Sequence, residues 1–229
     1  MAVRPVFIPV ISNNVLSVTK DLDFSWSPGM AKVQKQKSIK ALHAAANAQG
    51  LDSLLEISSK SEDELGVALS AFNLKIKTRK LSKEFSVESA FQASKVFEHG
   101  GPYVDLLDKE SRDAKKDIRL KESGNLMSFN FYNTIWPLIP RTAFYDWLYL
   151  SALNQNKKLA EHLLQFDGFT DIEFNPAKSI NCQARAAALY VSLNKLNMLE
   201  DALSSQENFL STLKNHYTAE NFSIQHNLI

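Results

Sequence analysis

A helix that faces a protein core keeps charge off its buried side, and residues 86–97, SVESAFQASKVF, depart from that rule. The wider stretch FSVESAFQASKVFEHGG reads as one helix ended by Gly100 and Gly101. At about 100° per residue, the step from Glu88 to Lys95 leaves the two side chains about 20° apart around the axis and about two turns apart along it. Glu88, Phe91, Gln92 and Lys95 then share one face. In solvent such an acid and amine form an ordinary charged stripe. With an aromatic ring between them, the set reads as the lining of a polar pocket.

The remaining periodicities place this helix among short strands and further helices. VFIPVIS and VLSVTKDLDFSW alternate as strands, and SPGMAKVQKQKSIKALHAAANAQG reads as a helix with Pro28 in its first turn and Gly50 as its stop. LLEISS is a short strand, and Ser61 with Glu64 matches a capping box before a brief helix. NLMSFNFY is extended, and Pro140 opens the apolar helix RTAFYDWLYLSALNQN. KKLAEHLLQF is amphipathic, FTDIEFNPAKS is an acid-bearing loop or strand, and INCQARAAALYVSLNKL is a long helix whose alanines permit close packing. A helix near residues 200–215 precedes a polar tail expected to be poorly ordered. The class is therefore α+β, mostly α, with a small β component.

Composition excludes several function classes. With 229 residues and 45% hydrophobic content the chain can bury a sizeable core. One cysteine, Cys182, rules out an internal disulfide framework and points to a reducing, cytoplasmic setting. No apolar run is long enough to span a membrane, and the N-terminus has no export pattern. A net charge of +1 gives no global nucleic-acid footprint. Locally, KIKTRKLSK gathers Lys75, Lys77, Arg79, Lys80 and Lys83, and KVQKQKSIK adds Lys32, Lys35, Lys37 and Lys40. Each run is a solvated face or a strip that touches DNA phosphates. His43 and His99 have no metal-ligand spacing with Cys182 or with each other, so neither a metal nor a cofactor is expected.

VESAFQASKVF resembles the signature helix of the NADAR family: an acid, then an aromatic, Gln-Ala, any residue, Lys and Phe. Upstream, LEISSKSEDELGVALSAFNLKI is similar to the family's opening strand, glycine-containing connection and Leu-Ser-Asn-Phe segment, with Ala71 in place of Asn before Phe72. Downstream, AFYDWLYLSALNQNKKLAEHLL and FTDIEFNPAKSINCQARAAALYVSL resemble the helix pair, the second-acid segment and the closing helix. Phe174 replaces a Trp, no glycine follows it, and Gln183-Ala184 stands where Leu-Gly is usual. Together with an extra N-terminal region, these departures resemble the subgroup of antitoxins found beside DarT-type DNA ADP-ribosyltransferases that modify guanine. The resemblance covers about residues 51–205. It implies an N-terminal extension of strands and helix over 1–50, a NADAR-like catalytic domain over 51–205, and a helix end and flexible tail over 206–229.

The resemblance further implies an N-glycosidase that removes ADP-ribose from guanine bases of DNA. Its partners would be ADP-ribosylated DNA, ADP-ribose and a cognate DarT-type toxin. The alternatives are an N-glycosidase of small phosphoribosylamino-pyrimidines of the riboflavin pathway and a non-catalytic module that binds ADP-ribose or a toxin. Breaking a ribosyl–amine bond calls for protonation of the amine, stabilisation of positive charge at the anomeric carbon, and a nucleophile. Glu88 is the candidate acid/base, its neutral form favoured beside Phe91. Lys95 is either a plain cation for phosphate or Glu88, or an amine that displaces guanine through a Schiff base.

Asp171 falls at the family's second acid, with Glu173 as a rival on the same side of a strand. Asn181 bonds the ribose or a phosphate, or is only an N-cap. Phe72, Phe91 and Gln92 complete the expected substrate contacts. Trp136, in an irregular segment, is the candidate platform for a base, and Trp147 reads as core. Arg119 and Arg141 either reach the pyrophosphate or lie on the surface.

Overall fold

The computed structural model describes residues 1–78 and 83–219. Strands β1 (Ala2–Pro9) and β2 (Ser17–Phe24) form a hairpin, followed by α1 (Lys32–Asn47), β3 (Leu54–Glu56) and α2 (Glu64–Ala68). A second hairpin, β4 (Lys75–Lys77) and β5 (Glu84–Ser86), runs directly into α3 (Val87–Ala93) and β6 (Lys95–Phe97). A 3-10 turn at Val104–Asp108 leads to α4 (Ser111–Lys116) and α5 (Arg119–Glu122). Then come β7 (Leu126–Phe131), β8 (Thr134–Trp136), α6 (Ala143–Gln155) and α7 (Lys157–Leu163). β9 (Gly168–Thr170), α8 (Gln183–Lys195), α9 (Leu199–Ser204) and α10 (Gln206–Thr212) follow. The fold is α+β with helices in the majority.

The largest sheet has the order β2-β1-β9-β3, with β3 parallel to β9 and the other pairs antiparallel. Successive strand residues point to opposite faces, and both faces are covered. Val6, Leu22 and Phe24 pack with Ile39 and Leu42 of α1 in a small core, while Phe7, Leu55 and Phe169 join the main core under α8. Each such side chain contributes about 1.5–3 kcal/mol when fully removed from water. Ala184, Ala186, Ala187 and Ala188 are wholly buried, so α8 lies close against the sheet as its alanines lead one to expect. The first fifty residues are therefore part of the sheet and of its second layer. At the other end, Phe209, Leu213 and Tyr217 are buried in the main core.

Several local expectations are corrected. The first helix begins at Lys32, because Gly29 adopts φ +122° and leaves Pro28 outside. Asp63, not Ser61, caps α2: its carboxylate accepts from Leu65 N–H at 2.8 Å, and Ser61 Oγ accepts from Asp63 N–H at 3.2 Å. The helix expected over 200–215 breaks at Ser205, which caps α10 by accepting from Asn208 N–H.

The correction with the largest consequence is in the signature segment. α3 stops at Ala93, and Ser94 turns its N–H and its hydroxyl back to the Ala90 carbonyl at 3.1 and 2.7 Å. Lys95 and Phe97 then pair with Phe129 and Leu126 of β7. A β-branched and an aromatic residue, Val96 and Phe97, suit a strand, and cross-strand pairing outweighs the helical spacing. Lys95 is thus not on the helix that carries Glu88.

Candidate functional site

A cavity of about 1320 Å³ opens where α3, β6, α4, the segment before β4 and the segment between β9 and α8 converge. Glu88, Phe91, Gln92, Lys95, Phe72, Asp171, Glu173 and Asn181 all line it. Glu88 and Lys95 meet because the chain leaves α3 and doubles back as β6, not because of helical phase.

Every residue of α3 is buried, which holds its polar side chains in fixed positions. Ser86 caps the helix by accepting from Ser89 N–H at 2.9 Å. Gln92 Nε2 donates to Glu88 Oε1 at 2.8 Å, and Lys115 of α4 stands 3.5 Å from the same oxygen. The Lys115 ammonium also lies 5.2 Å from the Phe72 ring centroid. Gln92 Oε1 is buried and has no partner among the described residues.

Lys95 makes no ion pair among the described residues, and its amine lies 4.9 Å from the Phe91 ring centroid. Burial above all, opposed by Glu88 and helped by Lys115, pulls its pKa down to about 8. Phe91 is itself fixed edge-on against Tyr145 at 5.2 Å and beside Phe129 at 5.3 Å.

β9 ends at Thr170, so Asp171 and Glu173 do not share a strand face. Asp171 is buried, and its carboxylate accepts from the N–H groups of Glu173 and Phe174 at 3.0 and 3.2 Å. Burial, and next the nearby Glu56, hold its pKa well above the usual carboxylate range. Glu173 is exposed at the rim and accepts from Ser59 Oγ. Asn181 is not the cap of α8; Cys182 occupies that position, and Asn181 Oδ1 is buried with no partner among the described residues.

Trp136 is not among the lining side chains. It is wholly buried between Trp147, Phe144 and Phe209, so the expected base platform is a core residue. Its place between apolar neighbours in β8 was a core signal. The half-buried rings on the cavity are Phe72 and Phe174. Arg119 is committed to Asp117 and Asp105, while Arg141 lines the cavity. Of the basic strip, Lys77 pairs with Glu84, Lys83 pairs with Asp108, and Lys75 is exposed; none of the three lines the cavity. Arg79 and Lys80 lie outside the described residues.

Sequence reasoning missed Lys115, Tyr145 and Gln183. Tyr145, on α6, faces the cavity, and burial raises its phenol pKa well above the usual value, with Glu88 adding to the shift. Gln183 accepts from Ala71 N–H and donates to the Ile57 carbonyl, both at 2.6 Å, and so ties three cavity segments together. Its replacement of an apolar residue in the family pattern was the available signal. Lys60, Arg112, Lys116, Arg141 and Lys178 also line the cavity, and none has an ion-pair partner among the described residues. Seven cationic side chains thus surround three carboxyl groups, an arrangement suited to an anion of several charges.

Among the described residues no three His, Cys, Asp or Glu side chains gather as a metal site requires, and no helix is long and apolar enough to cross a membrane. The family model for the DarT1-associated NADAR antitoxin matches residues 2–222, including the first fifty. No curated protein matches the chain.

Proposed function

The chain belongs to the DarT1-associated NADAR antitoxin family, and on that premise we propose that it removes ADP-ribose from guanine bases of DNA, reversing a DarT-type transferase. The observation that carries this reading is the Lys95 amine, desolvated over Phe91 in a cation-lined cavity with Glu88 and Asp171 on its walls. The cavity is wider than the usual range of about 300–1,000 Å³ for small-molecule sites, as suits a dinucleotide-sized group still attached to a base.

The chemistry follows from those groups. The guanine amine is exocyclic, so its ribosyl adduct can ring-open to an imine. The neutral Lys95 amine adds to the anomeric carbon, and Glu88 carries the proton released by that addition to the departing guanine nitrogen. The carbon–nitrogen bond to guanine breaks and a lysine Schiff base remains. Asp171 orients a water that adds to the same carbon and expels Lys95, giving free ADP-ribose. Phe72 and Phe174 hold the base, and Asn181 and Gln92, each with a buried oxygen that has no partner among the described residues, accept from ribose hydroxyls. Arg112, Lys116 and Lys178 take the pyrophosphate and the flanking DNA phosphates.

Incubation with a guanine-ADP-ribosylated oligonucleotide should release free ADP-ribose, and Glu88→Gln should abolish release. Borohydride during turnover should trap a covalent adduct on Lys95. Binding without release, or faster turnover of small ribosylamino-pyrimidines than of DNA, would replace this reading. Full activity in Lys95→Ala with no adduct would remove the Schiff base.

A further inference from the structure

Trp26, just after β2, is half-buried, with its ring edge-on to Phe24 at 6.1 Å between centroids. Two cations converge on this one indole: the Lys35 ammonium of α1 lies 4.6 Å from its centroid and the Arg4 guanidinium of β1 lies 5.3 Å from it. Arg4 Nη1 donates to the neighbouring Val3 carbonyl at 2.8 Å, while its Nε has no partner among the described residues. The ring holds both charges in place and neutralises neither. Two like charges on one ring repel each other, and an anion beside them relieves that repulsion.

The surroundings sort charge by face. Arg4 is the register partner of Leu22, and Lys20 that of Val6. Leu22 and Val6 pack in the small core under α1, so Arg4 and Lys20 leave the hairpin on the α1 side. Asp21 and Asp23 alternate to the opposite face. α1 carries Lys32, Lys35, Lys37 and Lys40 and no acid, and its first turn holds Lys32 and Lys35 against the preference of the helix dipole. Lys40 pairs with Glu62 at 3.0 Å; Arg4, Lys20, Lys32, Lys35 and Lys37 have no ion-pair partner among the described residues. The whole chain carries a net charge of only +1, so these five cations are segregated onto one layer and do not reflect a general excess.

We propose that this layer binds the phosphodiester backbone of DNA, with Arg4 and Lys35 on Trp26 as its fixed contacts and Lys20, Lys32 and Lys37 around them. The planar guanidinium suits phosphate oxygens, and each phosphate met by a cation releases a counterion. Continuity with the cavity favours DNA over an acidic protein: Glu62, the partner of Lys40, lies two positions from Lys60, which lines the cavity. Lys32 to Lys40 spans about 12 Å along α1, against about 34 Å for one turn of duplex, so one DNA segment can reach both the layer and the cavity rim. That the strand held here is the one whose guanine enters the cavity rests on the function proposed above. The layer gives the first fifty residues a part in substrate binding that no cavity contact supplies.

The test is fluorescence anisotropy of an unmodified duplex with the full chain, between about 50 and 200 mM salt. Arg4→Gln with Lys35→Gln should lower the slope of log Kd against log salt by about two and weaken binding at the low-salt end at least about tenfold. Should that pair disturb the hairpin, Lys32→Gln with Lys37→Gln, both exposed on α1, must lower the slope by about two without it. Slope and affinity unchanged in a folded double variant overturn the proposal. Poly-L-glutamate bound as tightly as the duplex, and lost in the same variants, would assign the layer to an acidic protein and overturn it as well. If the variants lose duplex binding as predicted while the wild-type chain leaves a guanine-ADP-ribosylated oligonucleotide intact, the function reading fails and the DNA surface stands; release of ADP-ribose with an unchanged slope has the reverse meaning.

Discussion

The Lys115 ammonium stands 3.5 Å from the Glu88 carboxylate and 5.2 Å from the Phe72 ring centroid. It occupies the acid that Lys95 would otherwise pair with. Lys95 is left over an aromatic face, where an ammonium has lost water and gained no carboxylate within ion-pair distance among the described residues. One cation from α4 thereby helps to keep a second cation on β6 partly neutral.

Replacing Lys115 with Met should raise the pKa of Lys95, since it removes a like charge and frees Glu88 to attract the ammonium. A rise of about one unit would lower the neutral amine about tenfold at pH 7. The expected outcome is a kcat that falls at pH 7 and recovers near pH 9 to 10. A loss equal at all pH values would show that Lys115 acts only by binding substrate.

The wild-type rate should itself climb with pH up to about 8. An amine with a pKa of about 8 is about one-tenth neutral at pH 7, against less than about one-thousandth for an unperturbed lysine. Only the neutral form attacks carbon. A log-rate slope near one between pH 6 and 7.5, flattening above 8, is the predicted profile; a flat profile there would rule out Lys95 as the nucleophile.

Reversing the charge of Arg112 and Lys116 together should raise KM for a long modified oligonucleotide at least about tenfold and flatten its salt dependence. ADP-ribosylated guanosine should be affected less. Reversal of Lys75 and Lys77, which do not line the cavity, should leave both substrates near wild type.

Gly66 on α2 sits where a Cβ would strike the Glu56 carbonyl and the Ser61 hydroxyl. Gly66→Ala forces α2 away from the end of β3, at a cost of about 1–3 kcal/mol. A lowered urea midpoint with unchanged slope is the expected result.

α6 and α8 are joined by the buried pair Asp146 and Arg185 at 2.8 Å, with the Tyr217 hydroxyl donating to the same carboxylate at 3.0 Å. Arg185→Met should destabilise the chain by about 3–5 kcal/mol, because it strips the cation from a buried carboxylate. Adding Asp146→Leu should recover much of that loss in the same denaturation assay.

The sequence by itself determined the residue set: Glu88, Phe91, Gln92 and Lys95 were legible as one polar group in an otherwise apolar stretch, and Phe72, Asp171 and Asn181 followed from the matching motifs. The Ala-rich face of α8 and the alternation of β1 and β2 were equally plain, because local period and side-chain volume dictate them. Only the tertiary structure decided how the set meets. Pairing with β7 ends α3 early and brings Lys95 in from a strand; burial separates Asp171 from Glu173; aromatic packing takes Trp136 into the core. Lys115 and Tyr145 stand 27 and 57 positions along the chain from Glu88, and no local pattern encodes such contacts. Strand pairing and desolvation are properties of the whole packed chain, and they set both the geometry and the charge of this cavity.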